Sequence, residues 1–458
     1  MHGGRSGIVD FAAAVLQVGA SGGVNEVASK PGLGVILAIF AGLALLAAGW
    51  AWMVRPINLA LGLGATVVMW ALSFLALLQP GLIGGELIFG AVVLCVVAAG
   101  ALAGRYRASG ARGLSVGLVS ATFNLMVIGA FLGESSQSSA ATRGMYVLGV
   151  FAASGVLGVV GEQIGRRMFA TSASSASSAT SPAPSREPNA AAMLCAITTA
   201  AIFFMVVIGG LVTSMEQGLA VPDWPNSFGH NMLLFPISEM KGGVFYEHSH
   251  RLFGMLVGAA MLATWVAVFR TQKRALPRAL VSLVLVLVVV QGVLGGLRVT
   301  GGFTASAAAA DLAPSTREGI IHGMLGQVIF ALAAVTTLAA TSRWASTPKL
   351  ALPGARALRL LPVVALALLM VQLFLGVAMR HLQVPPTAET GAKIPAWAMH
   401  GHITMAIIVA IVAVIAGLRC SHVNELPMLK RTGKAVMHTV GLQVVLGVAA
   451  LVVVLVRR

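Results

Sequence analysis

Apolar runs of about twenty residues, separated by short polar stretches, recur along most of the chain. In lipid every backbone N–H and C=O has to be bonded within its own segment, so such runs form helices. The pattern predicts an all-α, polytopic transmembrane helix bundle of about 12 spans. Five are expected near 33–54, 57–79, 85–104, 114–133 and 145–163. A stretch rich in Ser, Ala and Pro follows at 171–190 and predicts a flexible linker. Seven more spans are expected near 192–214, 248–269, 279–300, 319–341, 360–380, 397–418 and 435–456. The expected organisation is a five-span region, 1–170, of unassigned role, the linker, and a seven-span membrane domain, 191–458.

Composition agrees with the pattern. Hydrophobic residues make up 58% of 458 positions and charged residues 10%, where soluble domains carry about a quarter charged. The net charge of +16 raises the question of nucleic acid. The basic residues, however, fall in clusters between apolar runs: Arg105 to Arg112, Arg166-Arg167, Arg270 to Arg278, Arg343 to Arg359 and Arg419 to Lys434. That is the positive-inside distribution of cytoplasmic loops, and no nucleic-acid partner is expected. Placing the clusters inside leaves Gln79 to Glu86, Glu134 to Met145, Met215 to Glu247, Thr300 to Glu318 and Leu382 to Trp397 outside, with Arg457-Arg458 the one discord. The three cysteines, Cys95, Cys195 and Cys420, imply no disulfide framework.

A repeat organises the seven C-terminal spans. The odd ones carry a Leu/Ile-Gly step at Ile208-Gly209-Gly210, Leu294-Gly295-Gly296, Leu375-Gly376 and Leu446-Gly447. Gln291, Gln372 and Gln443 stand three residues before the Leu in three of them. Close helix packing in lipid would account for the small residues alone. The even spans open with histidine: His248 and His250, His322, then His400 and His402.

His250, His322 and His402 are expected a few residues inside their helix starts, at one depth near the outer face. Imidazoles from separate helices at one depth suit bis-histidine haem ligation; the competing reading is polar groups bridging helices. Gly254, Gly326 and Ala406 follow these histidines by one turn and leave room for a porphyrin, whereas Thr404 follows His400, so His402 ranks above His400. Glu247 stands one turn before His250 and is a candidate for catalysis or substrate placement; it also reads as an N-terminal carboxylate favoured by the helix dipole or as a partner for Arg251. Arg251 suits a haem propionate, or snorkels to the interface.

Gly209-Gly210-Leu211-Val212-Thr213-Ser214, Gly218-Leu219-Ala220-Val221-Pro222-Asp223-Trp224-Pro225 and Phe245-Tyr246-Glu247-His248-Ser249-His250-Arg251 together resemble the first helix, outer loop and second helix of haem A synthases. Ile321-His322-Gly323-Met324-Leu325-Gly326-Gln327 resembles the fourth helix and the 400–402 histidines the sixth, over about 191–458. The resemblance implies an oxidoreductase of cytochrome oxidase assembly, in an eight-helix pseudo-twofold bundle. It would oxidise the C8 methyl of haem O to the formyl of haem A. It implies His250 and His322 as ligands of substrate haem O, Glu247 at the methyl, and His402 as a ligand of haem b. It further implies haem O supplied by a membrane haem O synthase, a membrane electron-transfer partner and a place in the bacterial plasma (inner) membrane. Two departures stand out. Paired outer-loop cysteines found in some members are absent, and no eighth-helix histidine follows span seven. His381, at the outer end of its span, or a second chain in a homo-oligomer would then complete the second haem site; His381 beside Arg380 also reads as an interfacial anchor. The rival readings are a non-enzymatic bis-histidine cytochrome of b type, and a proton-coupled transporter, which would place ionisable residues near the bilayer midplane.

Overall fold

The computed structural model describes residues 41–42, 45, 48–79, 81–134, 139–174, 189–300, 316–347, 354–382 and 394–456. Eleven of the described helices are long and apolar enough to cross a membrane. They are α1 (Pro56–Leu77), α2 (Gly85–Arg105), α3 (Gly113–Glu134), α4 (Ala140–Ser174), α5 (Ala190–Ser214), α6 (Gly242–Thr271), α7 (Ala275–Thr300), α8 (Thr316–Ala340), α9 (Ala355–His381), α10 (Ala396–Ser421) and α11 (Pro427–Val456). The chain is an all-α, multi-pass integral membrane protein. The span expected near 33–54 lies largely outside the described residues. So does most of the expected linker, whose first residues, 171–174, are the tail of α4.

Most helices overrun the apolar runs that predicted them. Hydropathy marks the part of a helix that meets lipid, while backbone hydrogen bonding continues until a cap or breaker stops it. At α6 the difference matters: the helix starts at Gly242, six residues before the expected 248, and so includes Phe245, Tyr246 and Glu247. At α5 a cap sets the start. Asn189 accepts from Ala192 N at 3.1 Å and donates to Ala340 O at 2.9 Å.

The described residues fall into two compact units, one within Met1–Pro314 and Leu325–Ser346, the other within Ser315–Met324 and Thr347–Arg458. In the first, α4 packs against α2 and α3, and α1 against α2, α3 and α5. Glycines allow the close approach: a Cβ on Gly100 or Gly113 would run into the Gly158 carbonyl. Helices α5, α6, α7 and the later part of α8 form the rest of the unit. Thr198 and Thr264 bond at 2.8 Å across α5 and α6, and Thr199 and Thr337 at 3.0 Å across α5 and α8. Trp70, Phe74 and Phe123 share one buried cluster with Leu252, Phe253 and Leu256, so the N-terminal helices and α6 have a common core. In the second unit α9 packs on α10 and α10 on α11, with Gly417 and Gly433 facing each other.

Candidate functional site

The α5–α6 loop, 215–241, holds a short hairpin that pairs Asn226 with Asn231 and Ser227 with His230, and two 3-10 turns, Met232–Leu234 and Ile237–Glu239. It is held from below by three side chains of one stretch of α6. Arg251 is buried, and its Nη1 donates to Asp223 O at 2.6 Å and Asn226 O at 2.9 Å. Its Nη2 donates to Val221 O at 2.7 Å and to Glu247 Oε1 at 2.6 Å. Glu247 Oε2 accepts from Val221 N at 2.8 Å. His248, fully buried, reaches Ser227 Oγ through Nδ1 at 3.0 Å. A planar guanidinium suits this work because its donors leave in fixed directions, each toward a different carbonyl.

Within the loop, the Asp223 carboxylate accepts from Phe228 N at 2.7 Å and Gly229 N at 2.8 Å. Both donors have positive φ, 50° and 79°, and the two bonds fasten that turn. The Trp224 ring lies on Gly296 of α7, where a Cβ would stand 2.6 Å from Cε3. Arg298 of α7 places its guanidinium over Gly218, with Nη2 3.2 Å from where a Cβ would be. The Pro-Asp-Trp-Pro segment is therefore fixed at both of its central residues.

His250 is half-buried and turned toward α5, its Cε1 2.8 Å from where a Cβ on Gly209 would be. The second unit repeats the arrangement: His402 of α10 lies with Cε1 2.8 Å from the corresponding position on Gly376 of α9. Two of the four Leu/Ile-Gly steps, those of α5 and α9, are thus seats for an imidazole of the next helix, and side-chain-free backbone is what lets the ring come so close. Gly296 of α7 carries the Trp224 ring instead, and among the described residues nothing lies against Gly447. Gln372, one turn before Gly376, brings Nε2 to 3.4 Å from His402 Nε2, while the His402 Nδ1 is buried with no hydrogen-bond partner among the described residues. The unbonded Nδ1 faces the Gly376 backbone, so the nitrogen this ring could offer to a haem iron is Nε2, beside Gln372. His400, two residues earlier, is exposed.

His322 stands six residues past the start of α8, His402 six past that of α10 and His250 eight past that of α6. The expectation of a few residues is exceeded because the helices begin earlier. His381 ends α9 with its ring on Gly319 of α8, Cε1 being 2.8 Å from the virtual Cβ. Gly319 is one turn before His322, so His381 is directed to the part of α8 that carries His322. Five residues separate Gly376 from His381, about 140° around a helix of 3.6 residues per turn. The two imidazole contacts of α9 therefore fall on different faces.

Sequence reading missed three participants. His248 read as half of a histidine doublet, yet it turns away from its neighbour's seat to hold Ser227. Asp223 read as part of a rigid turn and is the acceptor that fastens it. Gln372 was legible as a repeat position but not as the neighbour of His402.

The seats make a prediction. Gly376→Val would place branched carbons against the His402 ring. Overpacking of this kind costs about 1–3 kcal/mol, so haem bound through His402 is expected to weaken about tenfold or more. Spectral titration of the purified variant checks this, and unchanged affinity would remove the role given to the seat.

Residues 192–456 match the family model described as cytochrome oxidase assembly protein, COX15-CtaA. A curated relative, heme A synthase of Parvibaculum lavamentivorans, is 32% identical over 132 residues, covering 23% of this chain and 38% of that protein's length. No solved structure matches. The seats of His250 and His402 and the fastened Pro-Asp-Trp-Pro loop all lie within the matched residues, and the chain belongs to the haem A synthase family of cytochrome oxidase assembly proteins.

Proposed function

We propose that this protein is a haem A synthase, oxidising the C8 methyl of haem O to the formyl group of haem A for terminal oxidases. The observation that carries the reading is the recurrence of one device, an imidazole on a glycine step, at His250 and again at His402. Two such seats match a family built from two haem-binding halves. Residues 191–458 are assigned the chemistry.

His250 and His322 are assigned to substrate haem O, and His402 to a resident haem b, whose iron when bound supplies an electron relay. Glu247 is assigned to the methyl-bearing edge of the substrate. Its two oxygens are engaged by Val221 N and Arg251, so it also fixes the loop that would cover that edge. Arg251, proposed from sequence for a propionate, has both terminal nitrogens on loop carbonyls and Glu247, and we assign it to holding the loop against the substrate. His381, whose ring lies on Gly319 of α8, or a second chain in a homo-oligomer would supply the further ligand of that haem. Haem O arrives from a membrane haem O synthase, and a separate membrane partner exchanges electrons. The location is the bacterial plasma membrane.

The test is to purify the protein and extract its pigments for chromatography. Haem O and haem A among them support the enzyme; haem b alone would leave an electron-carrying cytochrome in its place.

A further inference from the structure

Helices α1 and α3 touch the functional site directly. On α6, Phe245 and Phe253 flank His250 in sequence and face α1. Phe74 stacks on Phe245, with centroids 5.4 Å apart and planes at 8°, and meets Phe253 edge-on at 6.1 Å. Trp70, one turn earlier, meets Phe253 edge-on at 5.3 Å. Helix α6 is thus held by α1 on this face and by the Gly209 seat of α5 on the face that carries His250.

Helix α3 reaches the loop. Gly129 lies under the Leu233 carbonyl oxygen, so close that a Cβ would collide with it, and 3.5 Å from Leu234 Cδ2 at the same point. Leu233 is followed by Phe235, fully buried, whose ring is 4.8 Å from His248. From Gly129 the contact therefore continues through Phe235 and His248 to Ser227 in the hairpin.

The two helices are also fastened to each other. Trp70 Nε1 donates to Asn124 Oδ1 at 2.8 Å, and Thr66 and Ser120 bond through their hydroxyls at 3.1 Å, both side chains fully buried. Polar pairs buried between apolar helices fix register, because a slip leaves each group without a partner. Trp70 takes part in both this ladder and the aromatic contact, so the ladder sets where Phe74 and Trp70 meet α6.

We propose that Phe74 of α1 and Gly129 of α3 are positioning residues for the haem site, Phe74 fixing α6 beneath His250 and Gly129 fixing the α5–α6 loop. The N-terminal helices then act as a brace for a site whose ligands they do not supply. The inference rests on the assignment of His250 to haem, and the experiment separates the two.

Phe74→Ala, Phe74→Leu, Gly129→Ala and His250→Ala are made in the full-length chain, and haem content, the absorption and electron paramagnetic resonance spectra, and product formation are measured. Misplacement by about 1 Å can cost about a hundredfold in rate. Phe74→Ala and Gly129→Ala are each expected to lower the rate about tenfold and to shift the spectrum of the haem assigned to His250, with Phe74→Leu recovering most of both. If one of Phe74→Ala and Gly129→Ala fails to accumulate in the membrane, the other decides. Wild-type spectra and rates in whichever of Phe74→Ala and Gly129→Ala accumulates, alongside pigment loss in His250→Ala, would overturn the brace and leave the haem assignment standing. Unchanged pigment in His250→Ala would overturn that assignment itself.

Discussion

Replacing His250 and His322 together with alanine is expected to abolish haem A formation, to below about a hundredth of the wild-type rate. The physical ground is iron ligation: neutral imidazole is a good axial ligand, and alanine offers the metal nothing. Alanine is also the best helix former, so α6 and α8 keep their backbones and the loss falls on binding rather than on folding. Chromatography of extracted pigments and haem content per chain check the outcome, with two haems per chain expected in the wild type. His400→Ala is the internal contrast: that side chain is exposed, and the variant is expected to stay within about twofold of wild type, as surface changes usually do. A double variant that keeps full pigment and product would end the haem reading of these helices.

The largest structural effect is expected from Arg251→Ala. The guanidinium donates to the carbonyls of Val221, Asp223 and Asn226 and to Glu247, and both members of the ion pair are buried, with side-chain exposures of 7% and 4%. Removing one partner strands the Glu247 carboxylate and three loop carbonyls, a loss of about 3–5 kcal/mol for a buried pair. Arg251→Lys is expected to recover little, because an ammonium on a flexible stem does not match a fork aimed at three carbonyls and a carboxylate. Thermal stability in detergent and protease cleavage within 215–241 are the measurements; near-wild-type values for Arg251→Ala would show that the loop is held by other means. Glu247→Gln separates the two roles of that residue. The amide keeps an oxygen for Val221 N or for Arg251 but not for both, so some stability is lost in either case, and product lost far beyond that loss indicates action at the substrate. Stability and product falling in proportion would make Glu247 a structural anchor alone.

Much of this was legible in the chain itself. Apolar runs predicted the eleven described spans, because crossing lipid leaves a segment few choices besides a long apolar helix. The Pro-Asp-Trp-Pro and Glu-x-x-His-Arg segments indicated the family for a similar reason: each consists of residue types with little freedom to vary in what they do. The ranking of His402 over His400 came from small residues one turn on; in the structure His402 is half-buried and His400 exposed. The repeat of Leu/Ile-Gly steps was also visible, although its purpose as a pair of imidazole seats was not.

What sequence left open depends on which surfaces meet. Nothing in the spacing of Phe74 or Gly129 says that they face α6 and the loop, since an apolar helix in lipid shows no polar side from which to read its rotation. The direction of His381 was likewise undecided at a helix end, and packing on Gly319 set it. Glu247 and Arg251, four residues apart, allowed several partnerships, and the folded loop, by bringing three carbonyls within reach, selected one. Local chemistry and the demands of the bilayer were enough to determine helices, family and candidate ligands. Orientation, partnership and bracing were decided by tertiary structure, because each arises from contacts between segments far apart in the chain.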